Sequence, residues 1–419
     1  MVPAELKVQE VSKRCAGFPL DVARGSLDGG IVAVGTPPSD VRPTFPDARP
    51  CVEAAAQIPF VLLPLPGDPL QPILVAGPAR VELAAARAAL ASLENELDSA
   101  LGFDRKISAA LAEASGRLRR LAAFLPPPSD PEARWAPPPP VHAYFRVRSC
   151  SLSPEQFAAH AVMVMLRAVA DIPAAGMNIN DALAEVAGAT ELLSRFERSS
   201  QVGHQGSPTT SWQVPSVAPA RDALERWAVA HHLYFLFNLC AAAAIRAAIA
   251  ALALSNYDDE ARFLAEAVIY VRALTGAMLH SAAMGRNCYE IAVRPTMQRP
   301  AQLVPLTGAM QPEHASYRAA LEELVAAVPQ TFAELYRCSP AVALARDALF
   351  NADLLDLERH VAVAAVLVGN ARSLVQREEA PVNAVMALRQ MRQARARRYA
   401  PLMQFAERFE ERGGAGKKA

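Results

Sequence analysis

Three histidines stand among apolar neighbours: His231 and His232 in RWAVAHHLYFLFNL, and His360 at the head of the apolar run LERHVAVAAVLVG, from Leu357 to Gly369. Trp227, Tyr234 and Phe235 fall within a helical turn of one or other of the paired histidines. Taken singly, each reads first as a core imidazole satisfied by a hydrogen bond. A neutral imidazole on an apolar helix has a second use, because haem iron is held in this way between packed helices. Arg286 and Arg294 flank Tyr289 in RNCYEIAVRP. A guanidinium there can take a carboxylate through two parallel hydrogen bonds, or can simply pair with an acid at a helix end. His204 sits in the loop segment GHQGS.

Other chemistries lack their residues. No Gly-rich phosphate loop, GxSxG elbow or HExxH occurs. The six cysteines are scattered singly without CxxC spacing, which reads as reduced thiols and neither a zinc site nor a disulfide frame. Lys+Arg and Asp+Glu are both 42, so no whole-molecule field gathers nucleic acid or an anionic membrane. Asp258, Asp259 and Glu260 stand at a helix start, where acids suit the helix dipole. The series Arg389, Arg392, Arg395, Arg397 and Arg398 reads as a solvated helix face.

The elements that must position the histidines are helices. Residues 1–78 are rich in Gly, Pro and Val and read as short strands and turns. From Ala79 two amphipathic helices broken at Gly102 form a hairpin, whose apolar face needs either the main body or a second copy of the chain in a homodimer. The proline-rich stretch 126–141 is an extended linker, because proline lacks the backbone donor and restrains the residue before it. Ser153, Pro154 and Gln156 make a helix start. Further helices are expected at about 180–198, 220–254, 258–285, 314–328, 340–350, 353–377 and 381–412, the one over 220–254 being apolar on nearly every face and therefore central. The Gly/Ser/Thr/Pro loop 199–219 is long enough to be a lid or a surface excursion. The expected organisation is an N-terminal part (1–125), the linker, and a helical domain (142–413). With 52% hydrophobic residues but no comfortable bilayer span and no apolar leader, the chain reads as cytoplasmic, with no membrane partner.

CYEIAVRPTM, from Cys288 to Met297, resembles a segment of the tryptophan/indoleamine 2,3-dioxygenase superfamily of haem enzymes, in which an aromatic residue precedes Arg-Pro. About 65 residues later LLDLERHVAVAAVLVG resembles their proximal-histidine helix, and APVNAVMALRQMRQAR is similar to the helix that follows. The resemblance covers roughly residues 255–400. It implies a mainly α fold, a large helical bundle enclosing a haem pocket, with His360 as the axial ligand of haem b and Arg359 beside the cofactor. It also implies a distal proton donor or acceptor, for which His231 or His232 and then His204 are the candidates, and a small aromatic substrate held by Arg286, Tyr289 or Arg294.

The glycine-rich loop that closes over indole in those dioxygenases is replaced here by NARSLVQREEAPVN. That departure points to the histidine-ligated aromatic oxygenases of the same superfamily, the L-tyrosine hydroxylase-like branch that works in natural-product biosynthesis with peroxide or dioxygen. Oxidative cleavage of an indole ring is the enzymatic alternative, and a non-catalytic helical scaffold is the alternative of another class.

Overall fold

In the computed structural model, residues 60–66, 77–127, 138–200, 211–371, 373 and 382–404 are described, side chains 199, 200 and 309 excepted. The readings made for residues 1–59, for most of the linker, for His204 and for the C-terminal tail fall outside them.

Strand β1 (Val61–Pro64) is fully buried and leads to the hairpin of α1 (Gly77–Ser99) and α2 (Arg105–Phe124). Leu83, Leu90, Leu93 and Leu97 bury one stripe of α1, and Ile107, Leu111, Leu118 and Leu121 one stripe of α2, at the three-and-four spacing that puts them on a single helix face. Asp104 caps α2 by accepting hydrogen bonds from the Lys106 and Ile107 amides. The hairpin lies on helices of its own chain, α1 against α4 (Ile179–Ser200) and α2 against α3 (Pro154–Ala175). Its leucine face is therefore covered without a second copy.

Strand β2 (Val147–Cys150) pairs with β1 in parallel, Val61 opposite Val147. The sequence beyond the linker reads as almost entirely helical and assigns no strand there, so β2 is an addition. Val147 to Cys150 is too short to show a period, and a parallel partner needs the long crossover that the hairpin supplies. Just before β2, a short turn of helix (Pro140–Tyr144) ends at Phe145 and Arg146, the latter in the left-handed region at φ 52°.

α3 begins with the expected capping box: the Gln156 amide donates to Ser153 Oγ and the Ser153 amide donates to Gln156 Oε1. α5 (Ala223–Ala253), capped by Asp222, is the buried central helix, about 46 Å long. α6 (Tyr257–Ser281) returns alongside it, and α7 (Pro312–Ala327), α8 (Pro340–Leu367) and α9 (Ala384–Tyr399) complete the bundle. Two helices were expected over 340–377. The chain instead runs unbroken from Pro340 to Leu367, since Asn351 bonds back to the Asp347 carbonyl within the helix and does not stop it. The short helix Phe332–Cys338, with its own capping box at Thr331, was not anticipated.

α4 and α6 approach closely at two glycines. A Cβ on Gly188 would lie 2.3 Å from Ala273 Cβ, and one on Gly276 would lie 2.7 Å from the Asp181 carbonyl oxygen. Among the described residues three helices, α3, α5 and α6, are long and apolar enough to cross a membrane by length and composition, and 67–78% of each apolar window is buried inside the protein.

Candidate active site

α5 presents Trp227, His231 and Tyr234 on one face, spaced by four and three residues. His231 Nδ1–H donates to the Trp227 carbonyl at 2.7 Å, its ring stacks on Phe145 at 4.4 Å and 13°, and Trp227 leans on it at 4.2 Å. That bond fixes the tautomer, so Nε2 keeps its lone pair. Burial pushes His231 down to about 4, so the ring is neutral at ordinary pH.

His314, on α7, is held in a comparable way. Asn238 Nδ2 donates to the Tyr234 carbonyl at 2.8 Å, which leaves Asn238 Oδ1 as an acceptor for His314 Nδ1–H at 3.3 Å, with Tyr234 Oη also 3.3 Å from that nitrogen. Its Nε2 lone pair is likewise free. Burial, and after it the Arg395 guanidinium, push His314 down to about 3.

His360 stands on α8, one turn beyond Asp356 and two turns beyond Asp353. Burial and then Arg395 hold it below the usual imidazole range. A proton on His360 would act in turn on both His231 and His314, so the three rings are near one another. Helices α5, α7 and α8 thus bring three neutral imidazoles to one space. Burial dominates the titration of His231, Tyr234, His314 and His360, and yet all four keep accessible surface. Side chains deep in a bundle with surface to spare line a hollow.

Tyr289 closes one side, its ring 6.0 Å from Trp227. It lies in an irregular stretch, a π-turn over Tyr289–Val293 followed by a 3₁₀ turn over Arg294–Met297, tied to the wall where Tyr144 Oη and Thr296 Oγ1 share a hydrogen bond of 2.7 Å. Arg294 is half-buried beside Tyr289, with Nε 3.7 Å from Glu290. Trp227 Nε1 is buried among these rings without a partner among the described residues.

Several expected site residues lie elsewhere. His232 points about 100° away from His231 around α5; its Nε2–H donates to the Phe145 carbonyl at 2.6 Å, so it braces the wall from behind. Arg286 is exposed and lies against Gly369 after α8, and Arg359 is exposed with its charge directed at Asp181 of α4. His204 is outside the described residues.

His314 was missed by sequence reasoning, and Arg395, read with its neighbours as part of a solvated helix face, turns inward to Asp353. His314 sits in the ordinary amphipathic stretch PEHASYRAAL, where its one signal is a histidine and Tyr317 on the same face. The hollow fits a planar iron-bearing macrocycle on the chemistry of its donors: neutral imidazoles with free Nε2 lone pairs, aromatic walls, and a cationic floor at Arg395.

A model of the family described as SfmD 3-methyl-L-tyrosine peroxygenase matches residues 63–346. The match spans α5, the 286–297 stretch and His314, and ends 14 residues before His360. Among solved structures, a chain described as reduced SfmD, soaked with sodium hydrosulfite, aligns at 20% identity over 71% of this chain and 97% of its own, with a TM-score of 0.44. A superposition that loose carries no argument about the site. No curated protein matches.

Proposed function

The chain belongs to the SfmD 3-methyl-L-tyrosine peroxygenase family, and on that premise we propose how its own residues hold the cofactor and the substrate. Family membership makes it a haem-dependent biosynthetic enzyme that acts on a tyrosine derivative, so the indole-cleaving and scaffold alternatives give way. Peroxide supplies the oxygen: an aromatic C–H and peroxide become a phenol and water.

The observation that carries the assignment is the convergence of His231, His314 and His360, all neutral, on one hollow walled by Trp227, Tyr234, Phe145 and Tyr289. In this reading His360 Nε2 or Nδ1 is the iron ligand, since neither nitrogen has a hydrogen bond among the described residues. Haem b suits the site, because the sequence has no CxxCH and no cysteine within a turn of His360 for a thioether. Bound haem would supply the activation of peroxide. His231 Nε2, with its lone pair free and its ring clamped by Phe145 and Trp227, takes the peroxide proton and returns it to the departing water. Tyr289 and Trp227 hold the substrate ring, and Arg294 beside Tyr289 takes its polar end. The rings of Phe145, Trp227 and Tyr289 limit the access of bulk water to the reacting atoms.

Incubating the protein with haem, 3-methyl-L-tyrosine and isotopically labelled peroxide tests the reading. It expects a product one oxygen heavier that carries the label; unlabelled product, or none from a haem-replete protein, would overturn it. The reading also includes cytoplasmic residence, supported by the zero net charge and the buried apolar helices. A homodimer would have to use a surface other than the hairpin's leucine face, and light scattering of the purified chain measures it.

A further inference from the structure

On the floor of the hollow two guanidinium groups, Arg318 and Arg395, converge on a single carboxylate. Asp353, fully buried, accepts from Arg318 Nη1 at 2.7 Å, Arg395 Nη1 at 3.2 Å and Tyr317 Oη at 2.9 Å on one oxygen, and from Tyr399 Oη at 2.8 Å on the other. Two guanidinium ions share this one carboxylate. The next acid on α8, Asp356, accepts from Thr275 Oγ1 at 2.9 Å; burial and the neighbouring Asp353 push it up to about 7. The imidazoles of His231 and His314, which face the floor, are neutral. One positive charge is therefore unbalanced whenever Asp356 holds its proton.

That charge belongs to Arg395. Arg318 is occupied by Asp353 and also donates to Tyr399 Oη at 3.4 Å. Arg395 spends only Nη1 on Asp353; its other donors have no partner among the described residues, and its side chain is just 14% exposed. Its neighbours Arg392 and Arg398 pair with Glu358 and Glu322 at the surface, whereas Arg395 turns inward. Its charge acts on His360, His314 and Tyr234, which line the hollow from three helices. A half-used planar fork at a nearly dry site beside the cofactor ligands is a receptor for a carboxylate.

We propose that Arg395 binds a carboxylate in the hollow through the edge of its guanidinium that Asp353 leaves free. Two carboxylates can reach such a site, a haem propionate and the α-carboxylate of the amino-acid substrate. The proposal rests on the function assigned above and names the residue that anchors its anion.

The test compares full-length wild type with Arg395→Gln and with Arg395→Lys, the latter keeping a cation for Asp353 should the former fold poorly. One arm measures uptake of haem and of its dimethyl ester by the Soret band; the other measures binding of L-tyrosine and tyramine by calorimetry. If Arg395 holds a propionate, wild type prefers haem over the ester by roughly ten- to a hundredfold, and the preference shrinks in Arg395→Lys and vanishes in Arg395→Gln. If it holds the substrate, the same pattern is seen for tyrosine over tyramine. Unchanged preferences in both arms for either folded variant overturn the proposal. Wild type that takes up no haem sinks the haem reading instead, and the tyrosine arm then judges Arg395 alone: a preference lost on substitution sustains it, and an unaltered or absent preference ends it.

Discussion

At the scale of single residues, the account divides labour among imidazoles by what holds each of them. His231 gives its Nδ1 proton to the backbone and is sandwiched between Phe145 and Trp227, which suits a proton acceptor of fixed aim. Replacing it with alanine should leave haem uptake intact and lower peroxide-dependent turnover by about 10² to 10⁴; a variant that loses the haem but keeps normal turnover per haem bound would reverse the assignment. His314→Ala should be measured alongside, since its Nε2 is equally free. The sequence shows His231 and His360 because each interrupts an apolar run. It hides His314 and Arg395, because a polar residue that faces a hollow inside a bundle has the same helical spacing as one that faces solvent. The packing of α7 against α5 and of α9 against α8 makes the difference.

At the scale of elements, a buried knot ties four helices beneath the site. His280 of α6 lies between Asp171 of α3, 2.9 Å from Nε2, and Glu185 of α4, 3.1 Å from Nδ1, while Arg226 of α5 donates to Asp171 at 2.8 Å. Burial opposes the charge on His280, but the two carboxylates outweigh it and raise the imidazole to about 9. Burial also opposes ionisation of Asp171, and hydrogen bonds from His280 and Arg226 bring it down to about 2. His280 therefore contributes its full share below a free imidazole's value of about 6.5, and that share fades as pH rises through about 9. Asp171 contributes above its free value of about 3.9, and that contribution is lost as pH falls through about 2. Denaturation midpoints of wild type should thus decline on the alkaline side, and His280→Ala, which takes from buried Glu185 its imidazole partner and leaves Asp171 to Arg226, should lose about 3–5 kcal/mol and flatten that decline. A mutant with an unchanged alkaline slope would place the effect elsewhere.

The same helices show what their patterns could and could not disclose. Helix existence was legible for α1 to α7 and for α9, from apolar residues that recur at three and four or, in α5, cover nearly every face. The close approach of α4 to α6 was not, since Gly188 and Gly276 look like weak points until their neighbours are in place. Gly188→Ala forces a methyl onto Ala273 Cβ, a group with no freedom to swing aside, and should cost about 1–3 kcal/mol in a urea titration. A neutral result would mean that the two helices slide apart freely.

At the scale of the whole molecule, the hairpin and the haem-binding helices share one hydrophobic core, from Leu83 and Leu118 through Phe237 to Phe350. Trp212 fastens them further, its Nε1 donating to the Ala122 and Leu125 carbonyls, each at 2.9 Å. Composition and amphipathic faces foretold a mainly helical protein with an attached hairpin, but left the hairpin's partner open. No local pattern reports which distant surface covers an apolar face. A chain that lacks residues 1–127 should therefore expose the surfaces of α3 and α4 and aggregate on size-exclusion chromatography; a soluble, monodisperse truncation that binds haem would show an independent domain.

The catalytic roles of His231, Trp227 and Tyr289 presuppose that haem sits on His360, beyond the end of the family match. The most direct measurement is the absorption spectrum of protein purified from cells supplied with a haem precursor, wild type beside His360→Ala. The account predicts a strong Soret band, about one haem per chain, that is lost or shifted in the mutant although its fold persists. A band identical in position and intensity in the two proteins would contradict it and move the iron to another side chain.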